Sequence, residues 1–525
     1  MKYKFIFLSI LIHYGITTYS QSSIPSIEWQ KSFGGSASET AKSIVQTPDG
    51  GYITAGFSKS ADGNATMNHG DNDFWVVKMD ASGTLQWQKS LGGSGDDQAN
   101  SICTTSDGGY VIAGYTTSTD GDVTMNKGYA DYWIVKLNAL GNIVWQKTYG
   151  GQFQDIATSV KQTTDGGYIV AGYSSSNNGD VTGNNGAYTN DYWVVKLDSS
   201  GNLQWQKSIG GSSDERAFEI QQTSDGSYVI AGETNSSNSG DISSIALGLR
   251  DFWIVKIGST GNIIWEKRFG GSVEDIAYSI AQTSDGGYIV SGSTNSTNGN
   301  ITFNSGQGDC WILKLDTSGN LQWQKTLGTT TYDQAYSVKQ TPDGNYVAAG
   351  YLSSNTGIAE SEPLASTQYW VVKLDTLGNL LWHKPYGGNG NEAAYSIIST
   401  TDEGLALAGY SNTNPNNGDV TGNHGQFDFW IVKLNGSKEL GTTENNSPQK
   451  LEIYPNPAKD IVYINHLPKE STVTIFDAAG RKISGKKYSE PNISINTSAF
   501  ANGMYIVQID STEKNILSEK LIIKK

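Results

Sequence analysis

The fourteen tryptophans of this 525-residue chain fall into two interleaved series of seven. One runs Trp29, Trp87, Trp145, Trp205, Trp265, Trp323 and Trp382; the other runs Trp75, Trp133, Trp193, Trp253, Trp311, Trp370 and Trp430. Each steps by 58 to 60 residues, and no tryptophan is left over. Self-similarity at a fixed period marks one supersecondary unit copied along the chain, each copy needing a neighbour to bury its apolar face. The indoles, at equivalent places in every copy, read as packing groups.

One copy, residues 212–268, shows what the unit contains. Glu215–Gln222 reads as a first strand, a; residues 227–232 as b; Asp251–Ile257 as c; residues 263–267 as d. The a–b turn, Thr223-Ser224-Asp225-Gly226, suits a type I′ hairpin with two positive φ angles, and the Asp198 to Asn202 turn a longer hairpin with a glycine bulge. Four antiparallel strands repeated seven times predict an all-β fold, a seven-bladed β-propeller over residues 27–436. The c strand, as in Trp193-Val194-Val195-Lys196-Leu197, is apolar on both faces, as a sheet covered on both sides requires. A solenoid is the competing architecture, and it needs atypical capping repeats at both ends. Ring closure is also legible. A stray d strand, residues 27–31, precedes the first repeat, and the seventh repeat stops after its c strand, Asp428–Leu434. The N-terminal strand is therefore expected to complete the last blade and hide an open edge.

Sixty-two glycines and only 17% charged residues suit a turn-rich β protein. Net charge is −15. Lys2 and Lys4, and residues 451–525 with ten basic against eight acidic groups, are net positive, so the body between them is more acidic still. Such a body repels phosphate backbones, which excludes nucleic acid and leaves cations, cationic groups or neutral sugars as partners. Cys103 and Cys310 lie in different repeats and read as small buried hydrophobes. The start is a signal peptide over residues 1–20: Met1-Lys2-Tyr3-Lys4, an apolar run from Phe5 to Ile12, then Thr18-Tyr19-Ser20-Gln21 with cleavage expected between Ser20 and Gln21. That run is too short to span a membrane, and no other long apolar stretch occurs, so no transmembrane segment is expected.

The c–d hairpin, Lys196-Leu197-Asp198 to Gly201 and then Trp205, resembles the tryptophan-docking repeat of pyrroloquinoline-quinone-type propellers, with a turn one residue shorter; the resemblance implies the fold and no cofactor. The a–b turn Thr163-x-Asp165-x-Gly167 loosely resembles the Asp-box hairpin of sialidase-like propellers but lacks its closing aromatic. The C-terminal stretch is more specific. It holds Leu451-Glu452-Ile453-Tyr454-Pro455-Asn456-Pro457, then Asp477-Ala478-Ala479-Gly480-Arg481, then Ala501-Asn502-Gly503-Met504-Tyr505-Ile506-Val507, and ends Ile523-Lys524-Lys525. This is similar to the type A C-terminal sorting domain of the Bacteroidota type IX secretion system. The resemblance implies a small β-sandwich over residues 450–525, the secretion machinery as partner, and a secreted or outer-membrane surface location. Tyr454, Pro455, Asn456, Pro457, Gly503, Tyr505, Lys524 and Lys525 would carry the sorting signal. Residues 437–449 read as a linker rich in Ser, Thr and Asn.

Blade topology puts the d–a and b–c loops on one face, and the long b–c loops, about 16 to 20 residues, make that the expected recognition surface. Two features there are candidate sites. An acidic residue opens each a strand: Glu39, Asp97, Asp155, Glu215, Asp275, Asp333 and Glu392. If a is innermost, these ring a channel mouth and could hold a cation or amine; alternatively each accepts hydrogen bonds from loop backbone or pairs with a repeated lysine. The b–c loops carry an oxygen-rich pattern, Asp120-Gly121-Asp122-Val123-Thr124-x-Asn126-x-Gly128, with Asp180, Asp241, Asn300 and Asp419 in its variants. It could hold calcium, or close on itself in Asx turns. Repeat six departs, with Gly357-Ile358-Ala359-Glu360-Ser361-Glu362-Pro363. No Ser-His-Asp, zinc-ligand or phosphate-loop constellation is present, and no cofactor is expected apart from calcium. The reading that follows is a non-catalytic propeller binding a glycan or protein through its long-loop face. The alternatives are a polysaccharide-active enzyme and a structural surface or adhesion scaffold.

Overall fold

The computed structural model describes residues 24–186, 188–353, 366–436 and 452–525, apart from 466, 468–469, 479 and 512–513. The signal peptide with Ser20 and Gln21, the departing loop of repeat six and the linker lie outside the described residues. The chain divides into two compact units, Met1–Glu439 and Leu440–Lys525.

The first unit is seven four-stranded antiparallel sheets. Blade one is built from Glu39–Gln46, Tyr52–Ser58, Asp73–Met79 and Leu85–Leu91. The seventh combines Glu392–Ser399, Leu405–Ser411 and Asp428–Leu434 with the N-terminal strand Ile27–Phe33, paired from Ile27↔Leu434 to Phe33↔Phe429. Each a strand neighbours the a strand of the next blade, and the first neighbours the last, so the ring is closed with strand a innermost. The b–c loops run 14 to 16 residues, shorter than expected because strand b continues to Ser58 and its equivalents.

The c-strand indoles sit in the seams between blades. All seven are buried, and six meet an aromatic ring of the preceding blade at 4.5 to 4.7 Å between centroids, as Trp133 meets Phe74 and Trp75 meets Phe429. In the seventh seam Trp370 shares its core with Cys310. Inside its own blade each indole Nε1 donates to a d-strand side chain, Gln88 for Trp75 at 2.9 Å. The d-strand indoles are less buried, and six of them rest on the tyrosine opening strand b of the next blade, as Trp29 does on Tyr52 at 5.5 Å; Trp382 meets Leu405 there instead. Both cysteines are buried free thiols.

The a–b turns differ from the type I′ reading. Gly50 N donates to Thr47 O and Thr47 N to Gly51 O, and only Gly50 has positive φ, +80°. This is a type I turn closed by a left-handed glycine, the same construction as the c–d turn. Proline at the second position, Pro48, suits that turn. Asp49 earns its place by accepting from Thr47, from Gly51 N at 3.0 Å and from the c-strand Lys78 Nζ at 2.9 Å. The same lysine–aspartate pair recurs in all seven blades, ending with Lys433 and Asp402 at 2.8 Å.

The second unit is a β-sandwich. A three-stranded sheet (Glu452–Tyr454, Ile461–Asn465, Ile493–Asn496) and a four-stranded sheet (Lys482–Tyr488, Ser471–Asp477, Gly503–Ser511, Lys514–Ile523) share one core containing Val462, Ile464, Val473, Val507 and Leu521. Its motif residues converge on the chain end. Asn456 Nδ2 donates to Lys520 O and its Oδ1 accepts from Ile522 N at 2.8 Å; Lys524 N donates to Ala458 O at 2.9 Å; Tyr505 Oη donates to Ala501 O at 3.0 Å. Tyr454 stacks on Tyr463 at 5.7 Å.

Candidate binding face and central channel

The seven acids opening the a strands do not face the channel. Glu39, Asp97, Asp155, Glu215, Asp275, Asp333 and Glu392 are fully buried, and both oxygens of each accept hydrogen bonds. Asp97 shows the arrangement: Gly93 N and Ser118 Oγ each donate at 2.8 Å, and the Thr116 hydroxyl donates to the other oxygen. Each acid thus fastens the d–a loop to the end of strand b. This corrects the expectation of a carboxylate ring at the channel mouth.

The loop acids do a related job. Asp120 accepts from Ser94 N at 2.7 Å and Asp122 from Gly92 N at 3.2 Å; Asp180 accepts from Gly150 N at 3.1 Å and from Lys127; Asp419 accepts from Gly387 N at 3.2 Å. Asp241 and Asn300 repeat it on Gly210 N and Gly270 N. The described residues hold no group of three or more His, Cys, Asp or Glu side chains that could share a metal ion. The b–c and d–a loops do form one face, because these bonds join them blade by blade.

A second set of acids was missed in the sequence although it has the same period. Asp73, Asp131, Asp191, Asp251, Asp309 and Asp428 open the c strands of every blade but the sixth, where Gln368 stands. One oxygen of each accepts from b–c loop backbone, as Asp131 does from Lys127 N at 2.6 Å. The other is buried without a hydrogen-bonding partner. It faces the d–a glycine and, across it, the next a-strand acid: a methyl group on Gly92 would fall 2.6 Å from oxygens of both Asp73 and Asp97. Only glycine fits between them. Burial pushes Asp73, Asp131 and Asp309 up to about 6 and Asp191 up to about 7.

The loop face exposes apolar side chains that the ring does not use. Met67, Met125, Tyr129, Tyr188 and Phe303 are 57–80% exposed on the b–c loops of blades one, two, three and five, and Ile245, Leu247 and Leu249 stand on that of blade four.

The channel is lined by residues that a β-bulge turns inward. Every a strand carries one extra residue against strand b, after a buried alanine: Ala41, Ala99, Ala157, Ala217, Ala277, Ala335 or Ala394. A bulge re-aims the side chain it inserts. Here the inserted residues are Lys42, Asn100, Thr158, Phe218, Tyr278, Tyr336 and Tyr395, all lining one cavity of about 160 Å³. The residue after the bulge is serine in six blades, and five of these accept a backbone N–H from the following blade, as Ser101 Oγ does from Val160 N at 3.1 Å. Blade four has Glu219 instead, which accepts from Ile280 N at 3.1 Å and lies 3.3 Å from Lys339 and 3.5 Å from Lys161. Burial works against the charge on Glu219, and the two lysines outweigh it and hold its carboxyl below the usual range.

Residues 452–524 match the family described as Secretion system C-terminal sorting domain. The C-terminal unit is a type IX sorting domain. It directs export to the cell surface or the extracellular space, and no helix among the described residues is long and apolar enough to cross a membrane. The chain is 26% identical over 228 residues to the endo-acting ulvan lyase of Formosa agariphila, covering 36% of this chain and 43% of that one. It is 23% identical over 354 residues to an uncharacterised WD repeat-containing protein of Acanthamoeba polyphaga mimivirus, covering 53% of this chain and 26% of that one. The chain spans less than half the length of these curated relatives. Among solved structures it is similar to the Neurospora crassa Pan2 WD40 domain, at 10% identity and a TM-score of 0.42 over 75% of this chain and 88% of that one.

Proposed function

We propose that this exported propeller is a non-catalytic binding protein that takes a glycan or a protein on its long-loop face. The observation that carries the reading is the division of labour among its side chains. The repeated acids and c-strand lysines are engaged in holding blades and loops, whereas Met67, Met125, Tyr129, Tyr188 and Phe303 stand exposed on the b–c loops, Tyr188 with its ring edge-on to Phe153 of the adjoining loop. Exposed aromatic and methionine side chains on loops over a rigid scaffold are what a recognition surface needs. The test is a glycan array and a panel of purified surface proteins probed with the mature chain, with and without calcium. Binding that is lost in Tyr129→Ala and Tyr188→Ala, with the melting temperature kept, is the expected result. Binding that survives both substitutions, or no binding at all, refutes the reading.

The relative named as an endo-acting ulvan lyase favours a second reading, in which the same face serves a polymer-cleaving enzyme. Incubating the mature chain with ulvan and following the release of reducing ends separates the two: cleavage supports the enzyme, and binding without cleavage supports the first reading.

A further inference from the structure

The seven bulge positions of the channel break the symmetry that the rest of strand a keeps. The residue before the bulge is alanine in all seven blades, and the residue after it is serine in six. Between them stand one lysine, one asparagine, one threonine, one phenylalanine and three tyrosines. A position that served the ring alone would repeat as its neighbours do.

The variation is also ordered in space. Phe218, Tyr278, Tyr336 and Tyr395 come from four consecutive blades and form a continuous aromatic arc, with centroids 5.3, 5.0 and 4.8 Å apart. Blade one closes the arc with Lys42, whose Nζ lies 3.6 Å from the centroid of Tyr395. Asn100 and Thr158 occupy the opposite side, with Asn100 Nδ2 on Ala157 O at 2.8 Å and Thr158 Oγ1 on Ala217 O at 2.9 Å. One turn of the pleat further along, Lys161 and Lys339 flank the single carboxylate of Glu219. The cavity therefore holds three lysines against one glutamate, a cationic interior in a strongly acidic protein.

We propose that this cavity binds a single acidic sugar ring, with the apolar face of the pyranose on the tyrosine arc and its carboxylate on Lys42. The chemistry selects this class in three steps. The excess of lysine attracts an anion and repels a cationic guest, and the Tyr395 face that would hold such a guest is already taken by Lys42. The negative faces of the aromatic rings meet the polarised C–H bonds of a sugar. A volume of about 160 Å³ admits one ring and is well below the pockets that enclose larger ligands. The site is separate from the exposed loop residues and does not depend on them.

The probe is sodium D-glucuronate, titrated calorimetrically into the mature chain at low ionic strength, with D-glucose as the neutral partner. Glucuronate should bind and glucose should bind weaker by on the order of tenfold, the loss of a charge-assisted contact. Lys42→Gln should weaken glucuronate by a similar factor and leave glucose unchanged. Tyr336→Phe keeps the ring and should bind normally, and Tyr336→Ala should not. Thermal melts of each variant separate lost binding from lost folding. Tyr129→Ala and Tyr188→Ala should leave the glucuronate isotherm unchanged, so failure of the loop-face reading is seen apart from failure here. No heat with either sugar, equal affinity for the two, or a folded Lys42→Gln protein that binds like the parent overturns the proposal.

Discussion

Removing a c-strand indole should cost less at blade six than anywhere else in the ring. Trp133 is fully buried, stands 4.5 Å from the Phe74 ring, and donates from Nε1 to Gln146 at 3.0 Å. Truncating it to alanine loses the buried indole, about 3–5 kcal/mol. It also loses the ring pair, worth about 0.5–1.5 kcal/mol beyond burial. Gln146 is partly exposed and can turn to water, so it adds little. Trp370 is just as buried, but the residue at the position of Phe74 is Cys310, and its Nε1 donor bond runs to His383 at a longer 3.3 Å. The first term stays and the ring pair across the seam is absent, leaving only the edge-on His383 ring 6.2 Å away within the blade, so Trp370→Ala should be cheaper than Trp133→Ala by up to about 1 kcal/mol. Urea unfolding of the mature chain checks this through the midpoint, provided the slope m is unchanged. A double-mutant cycle sharpens it: Phe74→Leu with Trp133→Ala should show coupling of about 1 kcal/mol, and Cys310→Ala with Trp370→Ala almost none. Equal costs at the two sites, with equal slopes, would refute the claim that aromatic pairs hold the seams.

Two further outcomes follow from the same repeats. Leu405 stands where the other six blades open strand b with tyrosine, and a cavity of about 200 Å³ lies beside it, lined by Trp382, Lys373, Asp343 and Pro25. Leu405→Tyr should restore the missing ring contact with Trp382 and raise stability by about 1 kcal/mol in urea unfolding; a lower midpoint would mean that the seam cannot accept the ring. Stability should also fall on both sides of mildly acidic pH, as followed by melting temperature from pH 2 to 8. Burial raises Asp155 to about 7 and Asp73 and Asp275 to about 6, from 3.8 in the unfolded chain, so the stability they favour in the neutral form is complete below about pH 4 and is lost as pH rises from there through 6 to 7. Partial burial opposes ionisation of Asp49, Asp107 and Asp402, but their threonine and lysine hydrogen bonds outweigh it and hold them at about 2, so that contribution is lost as pH falls from about 4 towards 2. A melting temperature that climbs steadily up to pH 8 would contradict the first half.

The tryptophan spacing revealed the blade, the number of blades and the closing strand because each is a statement about period and order, and a closed ring allows no other use for a lone d strand. Side-chain direction was less legible. Glu39 and its equivalents are held in the loop junctions by the hydrogen bonds they accept, and the bulge after Ala41 turns the inserted Lys42 into the channel. The hairpins were misread for a related reason. Asp-Gly suits a two-residue turn, but the threonine two places before each aspartate supplies a hydroxyl that closes a longer one, as Thr47 does on Asp49. The c-strand acids were visible as a period and were passed over because their carboxylate role depends on a glycine that only folding brings between two of them.

Comparing a position across the seven blades separates what holds the ring from what the ring is used for, because each blade solves the same packing problem as its neighbours. By that measure blade six is exceptional on structural grounds. Its c strand opens with Gln368 where the others have aspartate, Trp370 meets Cys310 in place of a ring, His383 replaces the usual glutamine or glutamate partner of the indole, and Leu405 leaves the next seam underfilled. Each departure removes an interaction that the other blades retain, and all four lie within the sixth blade or the seams on either side of it. The channel departures behave differently. Lys42, Phe218, Tyr278, Tyr336 and Tyr395 weaken no seam, since the alanine before each bulge stays buried and the inner-strand bonds between blades run through the serine or glutamate after it. Variation that costs the scaffold nothing, gathered around one cavity and ordered by chemistry, is where selection for a ligand can act without opposing the fold. The weakened sixth blade and the decorated channel are therefore two distinct kinds of asymmetry, and only the second has the composition of a binding site.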